Sequence, residues 1–229
     1  MATYRAIVLD LDDTLYPEHQ YVRSGFHAVA RYLETEAGLS AEETFAQLIA
    51  LLEAGVREMT MNRWLQDRQL DEQRWIGPML RCYREHDPQI ELSSEATEVL
   101  ETLHGRYALG LVSDGRLAQQ QKKVAVLGID RWISAIVLSD AFGREHWKPS
   151  TRPFEEVLGQ LGVSGESAVY VADNPTKDFL GARQLGMGTI RLRRAGGLYS
   201  HLEPPTEAHA PQAEIATLAE LPARLDSRS

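Results

Sequence analysis

The chain has 229 residues, 43% hydrophobic and 25% charged, so it is long enough to bury a sizeable core and too balanced for a disordered or fibrous protein. With 33 acidic against 24 basic side chains the formal charge is −9, which opposes general attraction to nucleic-acid phosphates or anionic membranes. The single cysteine, Cys82, excludes an intrachain disulfide and a multi-cysteine zinc centre, and no apolar run reaches membrane-spanning length, so a cytoplasmic protein without nucleic-acid or membrane partners is expected.

The first element is the apolar run Ala6-Ile7-Val8-Leu9, whose branched residues without alternation indicate a strand covered on both faces. From Tyr16 to Ser93 the apolar residues follow the helix period instead. Val22, Phe26, Val29 and Leu33 line one helix; Ser40 and Glu43 are spaced as a capping box ahead of Phe45, Leu48, Ile49 and Leu52. Trp75, Met79 and Cys82 line a third helix, which Gly77-Pro78 is expected to kink or restart, and Cys82 is expected in the core. Strand-like runs then recur at Ala108 to Val112, Ile133 to Leu138, Ala168 to Ala172 and Gly188 to Leu192, with helical patterns at Ala96 to Leu103, Leu117 to Leu127 and Pro153 to Leu161. This alternation predicts an α/β fold with a parallel sheet, formed by residues 1–15 and 94–229, and a helical insertion over 16–93. His201 to Pro211 is expected to run over the surface, and Ala213 to Leu225 to add a last short strand and helix. Arg191, Arg193 and Arg194 read as a solvated strand end.

Ligands of such sheets sit beyond the carboxyl ends of the strands. The residues there are Asp10, Asp12, Asp13 and Thr14 after the first run, Ser113, Asp114 and Gly115 after the second, and Asp173, Asn174 and Asp178 after the fourth; Lys148 precedes Pro149 in the loop after the third. Asp10 and Asp12, alternate residues at a strand end, would point the same way, and clustered carboxylates call for a cation. With no histidine or cysteine at ligand spacing, Mg²⁺ suits the set best. Lys148 would offer a point charge to a phosphate, and Ser113 with the N–H groups after it neutral donors. Singly, each motif has a plainer reading as a helix cap, a tight turn or a solvated charge. Their coincidence at strand ends of one sheet favours a phosphate-handling site. Tyr16, His19, Tyr21 and Arg23, just after the first motif, suit either a turn and helix surface or a substrate contact.

The run Asp10-Leu11-Asp12-Asp13-Thr14 resembles the DxDxT signature of the haloacid dehalogenase-like hydrolase superfamily. Ser113, the Lys148-Pro149 pair and Asp173-Asn174-Pro175-Thr176-Lys177-Asp178 resemble its other three signatures, in order. The resemblance implies a Rossmann-like sheet of strand order 5-4-1-2-3, with a helical cap closing over a small phosphorylated substrate. It implies Asp10 as nucleophile and Asp12 as general acid and base. Mg²⁺ would be held by Asp10, the Asp12 carbonyl and Asp173, with Thr14, Asn174 and Asp178 as supporting partners and Ser113, Asp114 and Lys148 binding phosphate. An acid at Asp12 favours phosphatase over dehalogenase chemistry, since a halide leaves without a proton. A phosphomutase, or a binding protein that keeps the fold without the chemistry, are the alternatives. Ala172 and Lys177 depart from the glycine and asparagine frequent at those places.

Overall fold

The computed structural model describes residues 4–226 and divides into two compact units, Met1–Pro17 with Glu91–Ser229, and Glu18–Ile90. The second contains α1 (Glu18–Ala37), α2 (Ala41–Glu53), α3 (Thr60–Asp67) and α4 (Glu72–Glu85). Phe26, Val29 and Leu33 of α1, one helical turn apart, share a core with Leu48, Ile49, Met61, Trp64, Leu65, Trp75 and Met79. The Ser40 hydroxyl accepts from the Glu43 N–H at 3.2 Å, which caps α2 where the sequence places its start. Cys82 is half-buried and packs against this core.

Two features differ from the sequence reading. α4 runs unbroken through Pro78, neither restarted nor divided. Asp71 caps it, and Trp75 and Met79, on either side of the proline, are both buried, so their packing outweighs the lost main-chain bond. α3 has no counterpart in the sequence reading. No side chain caps its first turn, and only Met61, Trp64 and Leu65 mark its apolar face.

In the other unit the strands are β1 (Ala6–Leu9), β2 (Ala108–Ser113), β3 (Ala135–Leu138), β4 (Ala168–Ala172), β5 (Gly188–Leu192) and β6 (Ala213–Ile215). They form one parallel sheet in the order β3-β2-β1-β4-β5-β6. The five-strand order expected from the resemblance is present, and β6 extends it beyond β5. β1 lies between β2 and β4, with Ala6 paired to both Ala108 and Ala168, which accounts for a strand whose four side chains are all fully buried. Helices α5 (Ser94–Leu103), α6 (Leu117–Leu127), α7 (Arg152–Leu161), α8 (Asp178–Gln184) and α9 (Leu221–Asp226) complete this unit. α7 packs so closely on β2 that a Cβ at Gly110 would lie 2.8 Å from a Val157 methyl. Because every strand runs the same way, β1, β2 and β4 deliver the residues after Leu9, Val112 and Ala172 to one edge. Among the described residues, no helix is long and apolar enough to cross a membrane.

Candidate active site

Asp10 follows β1 directly, its N–H still donating to the Val171 carbonyl of β4 at 2.9 Å, so its carboxylate is fixed at the sheet edge. The buried Lys148 ammonium donates to Asp10 Oδ1 at 2.5 Å and to the Tyr170 hydroxyl at 2.9 Å. It also lies 2.8 Å from Asp178 Oδ1, an ion pair without hydrogen-bond alignment. Burial pushes the Asp10 carboxyl up to about 7 despite the Lys148 ammonium, and the Asp178 carboxylate adds to the rise. Burial also opposes the charge on Lys148, but Asp10 and Asp178 hold its pKa well above the ordinary lysine value.

Lys148 is itself oriented through its main chain: its N–H donates to Asp114 Oδ1 at 3.2 Å, while Asp114 Oδ2 pairs with Lys177 at the same distance. Burial alone would raise the Asp114 carboxyl, but the Lys148 and Lys177 ammonium groups hold it below the usual carboxylate range. The Asp114 side chain thus faces two lysines, and its neighbour Ser113 sits buried at the end of β2.

Asp12 points elsewhere than Asp10. Its Oδ1 accepts from Lys123 at 2.6 Å and from the Tyr16 hydroxyl, and its Oδ2 accepts from Gln120 Nε2 at 2.8 Å. Burial works to raise this carboxyl, but Lys123, assisted by the Tyr16 and Gln120 donors, holds it below its ordinary value. Gln120 Nε2 also lies 2.6 Å from Ser113 Oγ and 2.8 Å from the Asp114 carbonyl.

Asp173 follows β4. Burial, and then the Asp178, Asp10 and Asp13 carboxylates, push its carboxyl up to about 9. Asn174 and Asp178 support the loop between them: the Asn174 N–H donates to Asp178 Oδ2 at 2.9 Å, and Asn174 Oδ1 accepts from the Thr176 N–H at 3.0 Å. Thr14 is fully buried, its hydroxyl without a hydrogen-bond partner among the described residues, and its carbonyl accepts from Arg194. Arg191 and Arg194 are a correction to the sequence reading, while Arg193 is a partly exposed strand-end residue paired with Glu203. Arg191 is fully buried, donating to the Asp173, Tyr199 and Leu202 carbonyls at 3.3, 2.8 and 2.9 Å, because its strand position aims it at main-chain acceptors. Arg194 donates to the Asp13 carbonyl at 2.8 Å and pairs with Glu95.

The donor set fits a hard divalent cation. The Asp178 carboxylate raises the cost of ionising Asp10, the Asp178, Asp10 and Asp13 carboxylates raise that of ionising Asp173, and the donors of all four are oxygen. Among the described residues no three His, Cys, Asp or Glu side chains form a ready-made metal cage. Mg²⁺ takes one or two carboxylates and leaves the remaining positions to carbonyls, water and phosphate.

Four residues of this site carry no motif. Gln120 and Lys123, three apart on α6, are buried with Leu127, where an amphipathic helix should be apolar; that polar interruption is the signal that could have found them. Tyr170 is hidden inside an apolar strand run, and Arg194 inside what reads as a solvated basic group.

The haloacid dehalogenase-like hydrolase family profile matches residues 7–192. A glyceraldehyde 3-phosphate phosphatase of Methanopyrus kandleri is 31% identical, covering 95% of each chain. A phosphoserine phosphatase of Thermus thermophilus is 27% identical over 95% of this chain and 97% of its own. A HAD-hydrolase of Bacillus subtilis solved bound to magnesium shares the fold, with a TM-score of 0.67 at 20% identity over 98% of this chain and 99% of that one.

Proposed function

The chain belongs to the haloacid dehalogenase-like hydrolase family, on its phosphatase branch, and from that we propose that it is a Mg²⁺-dependent phosphatase of small phosphorylated metabolites that carries the phosphoryl group on Asp10. One observation supports this most: Lys148 Nζ lies 2.5 Å from Asp10 and 2.8 Å from Asp178 at the edge where β1 and β4 end. A buried cation beside a carboxylate nucleophile suits a reaction that delivers a phosphate dianion to an anion.

In this reading an Asp10 oxygen attacks phosphorus as the bond to the leaving-group oxygen breaks, and Asp12, which Lys123 favours as the carboxylate in the free protein, takes up the proton that a monoester monoanion brings and passes it to that oxygen. The Asp12 carboxylate then takes a proton from water as the water oxygen attacks the phosphorus carried on Asp10, which releases phosphate and restores Asp10. Lys148 offsets charge on the phosphoryl oxygens, and the Ser113 hydroxyl with the N–H groups after it donates to them. Asp114 keeps Lys148 in place through its main-chain N–H. Asp10, Asp173 and the Asp12 carbonyl would hold Mg²⁺, which when bound supplies Lewis-acid stabilisation of transferring phosphoryl oxygens. The substrates named for the relatives, a triose phosphate and phosphoserine, are both small monoesters.

The test is phosphate release from a panel of small monoesters, including glyceraldehyde 3-phosphate and phosphoserine, with Mg²⁺ and with EDTA. Metal-dependent release of free phosphate is expected, lost in Asp10→Asn. Unchanged turnover in Asp10→Asn would overturn the covalent route, and isomerised product without free phosphate would indicate a mutase.

A further inference from the structure

We propose that Lys123 and Gln120 are positioning residues for proton transfer: together they hold the Asp12 carboxyl group in the place from which it exchanges a proton with the leaving group and with water. This rests on the reading of Asp12 as general acid and base.

Asp12 lies in the turn that follows β1, outside any helix or strand, with Asp13 after it in the left-handed region at φ 57°. Its main chain makes a bridge with Tyr16, four residues on. A carboxyl group on such a segment takes its direction from the groups that bond it, and proton transfer at a reacting atom depends on direction. The Tyr16 hydroxyl, on the same segment, anchors Oδ1, and α6 supplies the remaining two anchors. Lys123 Nζ and Gln120 Nε2 approach opposite oxygens of Asp12 at 2.6 and 2.8 Å, from side chains one turn apart on a helix whose other buried side chain is Leu127.

Gln120 adds a link that a plain buried ion pair lacks. The same Nε2 reaches Ser113 Oγ at 2.6 Å and the Asp114 carbonyl at 2.8 Å, so one side chain spans the proton-transfer group and the phosphate-binding turn. The turn is shaped to admit it: a Cβ at Gly115 would lie 3.0 Å from Gln120 Cδ, and Gly115 holds φ at +131°. A neutral amide can be shared by Asp12 and Ser113, whereas a second ammonium there would pull the phosphate toward Asp12.

Leaving-group dependence tests the proposal, because an alkyl alkoxide needs a proton on departure and a nitrophenolate does not. kcat/KM reports the step in which the leaving group departs, so the readout is the ratio of kcat/KM for glycerol 3-phosphate to that for 4-nitrophenyl phosphate. Lys123→Met is expected to lower this ratio about tenfold or more, within the range of general acid catalysis, with partial recovery in Lys123→Arg. Gln120→Met is expected to lower it less. A loss of fold would depress both substrates together and leave the ratio unchanged. The double variant Asp12→Asn with Lys123→Met, which removes both charges at once, is expected to match the ratio of Asp12→Asn alone. If Asp12→Asn lowers the ratio and Lys123→Met does not, the positioning role is overturned while the acid role stands. If Asp12→Asn itself leaves the ratio unchanged, the acid role fails and the positioning role falls with it.

Discussion

Lys148 holds Asp10 and Asp178 apart: its ammonium stands 2.5 Å from one carboxylate and 2.8 Å from the other, with all three side chains buried. Removing it leaves two buried carboxylates facing one another. Lys148→Met is therefore expected to lose about 3–5 kcal/mol of stability in EDTA, in addition to at least about 10²-fold in kcat. Thermal unfolding and steady-state kinetics measure the two separately. Retention of wild-type melting behaviour would show that the lysine does not neutralise this pair.

The Asp173 carboxyl, at about 9 in the folded chain, carries a pH signature. A carboxyl whose folded pKa lies above its unfolded value of 3.8 contributes stability that is full below pH 3.8 and is lost as pH rises through the folded value. The metal-free protein should thus lose stability between about pH 4 and pH 9. Asp173→Asn is expected to flatten that slope and to melt several degrees higher than wild type in EDTA at pH 8, while losing Mg²⁺-dependent activity. Added Mg²⁺ should raise the wild-type melting temperature and not that of the variant. Melting curves in EDTA across this range decide the matter.

Gly115→Ala should act at a distance from the chemistry it impairs. The backbone at φ +131° costs an alanine about 1–3 kcal/mol, and the new methyl displaces Gln120. A fall in kcat without a matching rise in KM is expected, with chemical denaturation giving the stability change.

Arg191→Met tests a buried cation that holds three carbonyls besides its ion pair with Glu214. It strips donors from the Asp173, Tyr199 and Leu202 carbonyls; the buried Asp173 acceptor costs about 1–3 kcal/mol when orphaned, and the two half-buried ones less. Because one of those carbonyls belongs to Asp173, weaker Mg²⁺ activation is expected alongside the lower stability. A metal titration of activity reads it.

What the sequence discloses here tracks how local each cause is. Ala6–Leu9 is legible as a doubly covered strand because burial on both faces demands four consecutive apolar residues, and Ser40 announces α2 because its hydroxyl meets its own helix. Asp10, Lys148 and Asp178 are legible as strand-end chemistry, and the structure brings them into contact. Lys123 escapes notice because its partner is 111 residues away. Arg191 misleads for the same reason: a charged residue is read as solvated unless its acceptors, here 8 to 18 residues distant, are known. Pro78 shows the reverse case, a strong local signal overruled by the packing of Trp75 and Met79.

β1 is the seam of the sheet, yet its two neighbours arrive about 100 and 160 residues after it, as the pairing of Ala6 with Ala108 and Ala168 records. A chain emerging from the ribosome must therefore keep four bare aliphatic residues out of mischief while everything needed to cover them is still being made. The intervening helices close their own core from nearby segments and can settle first, so the sheet unit is the late and vulnerable one. Premature termination anywhere before Ala168 leaves that seam open along one side, a ready template for aggregation.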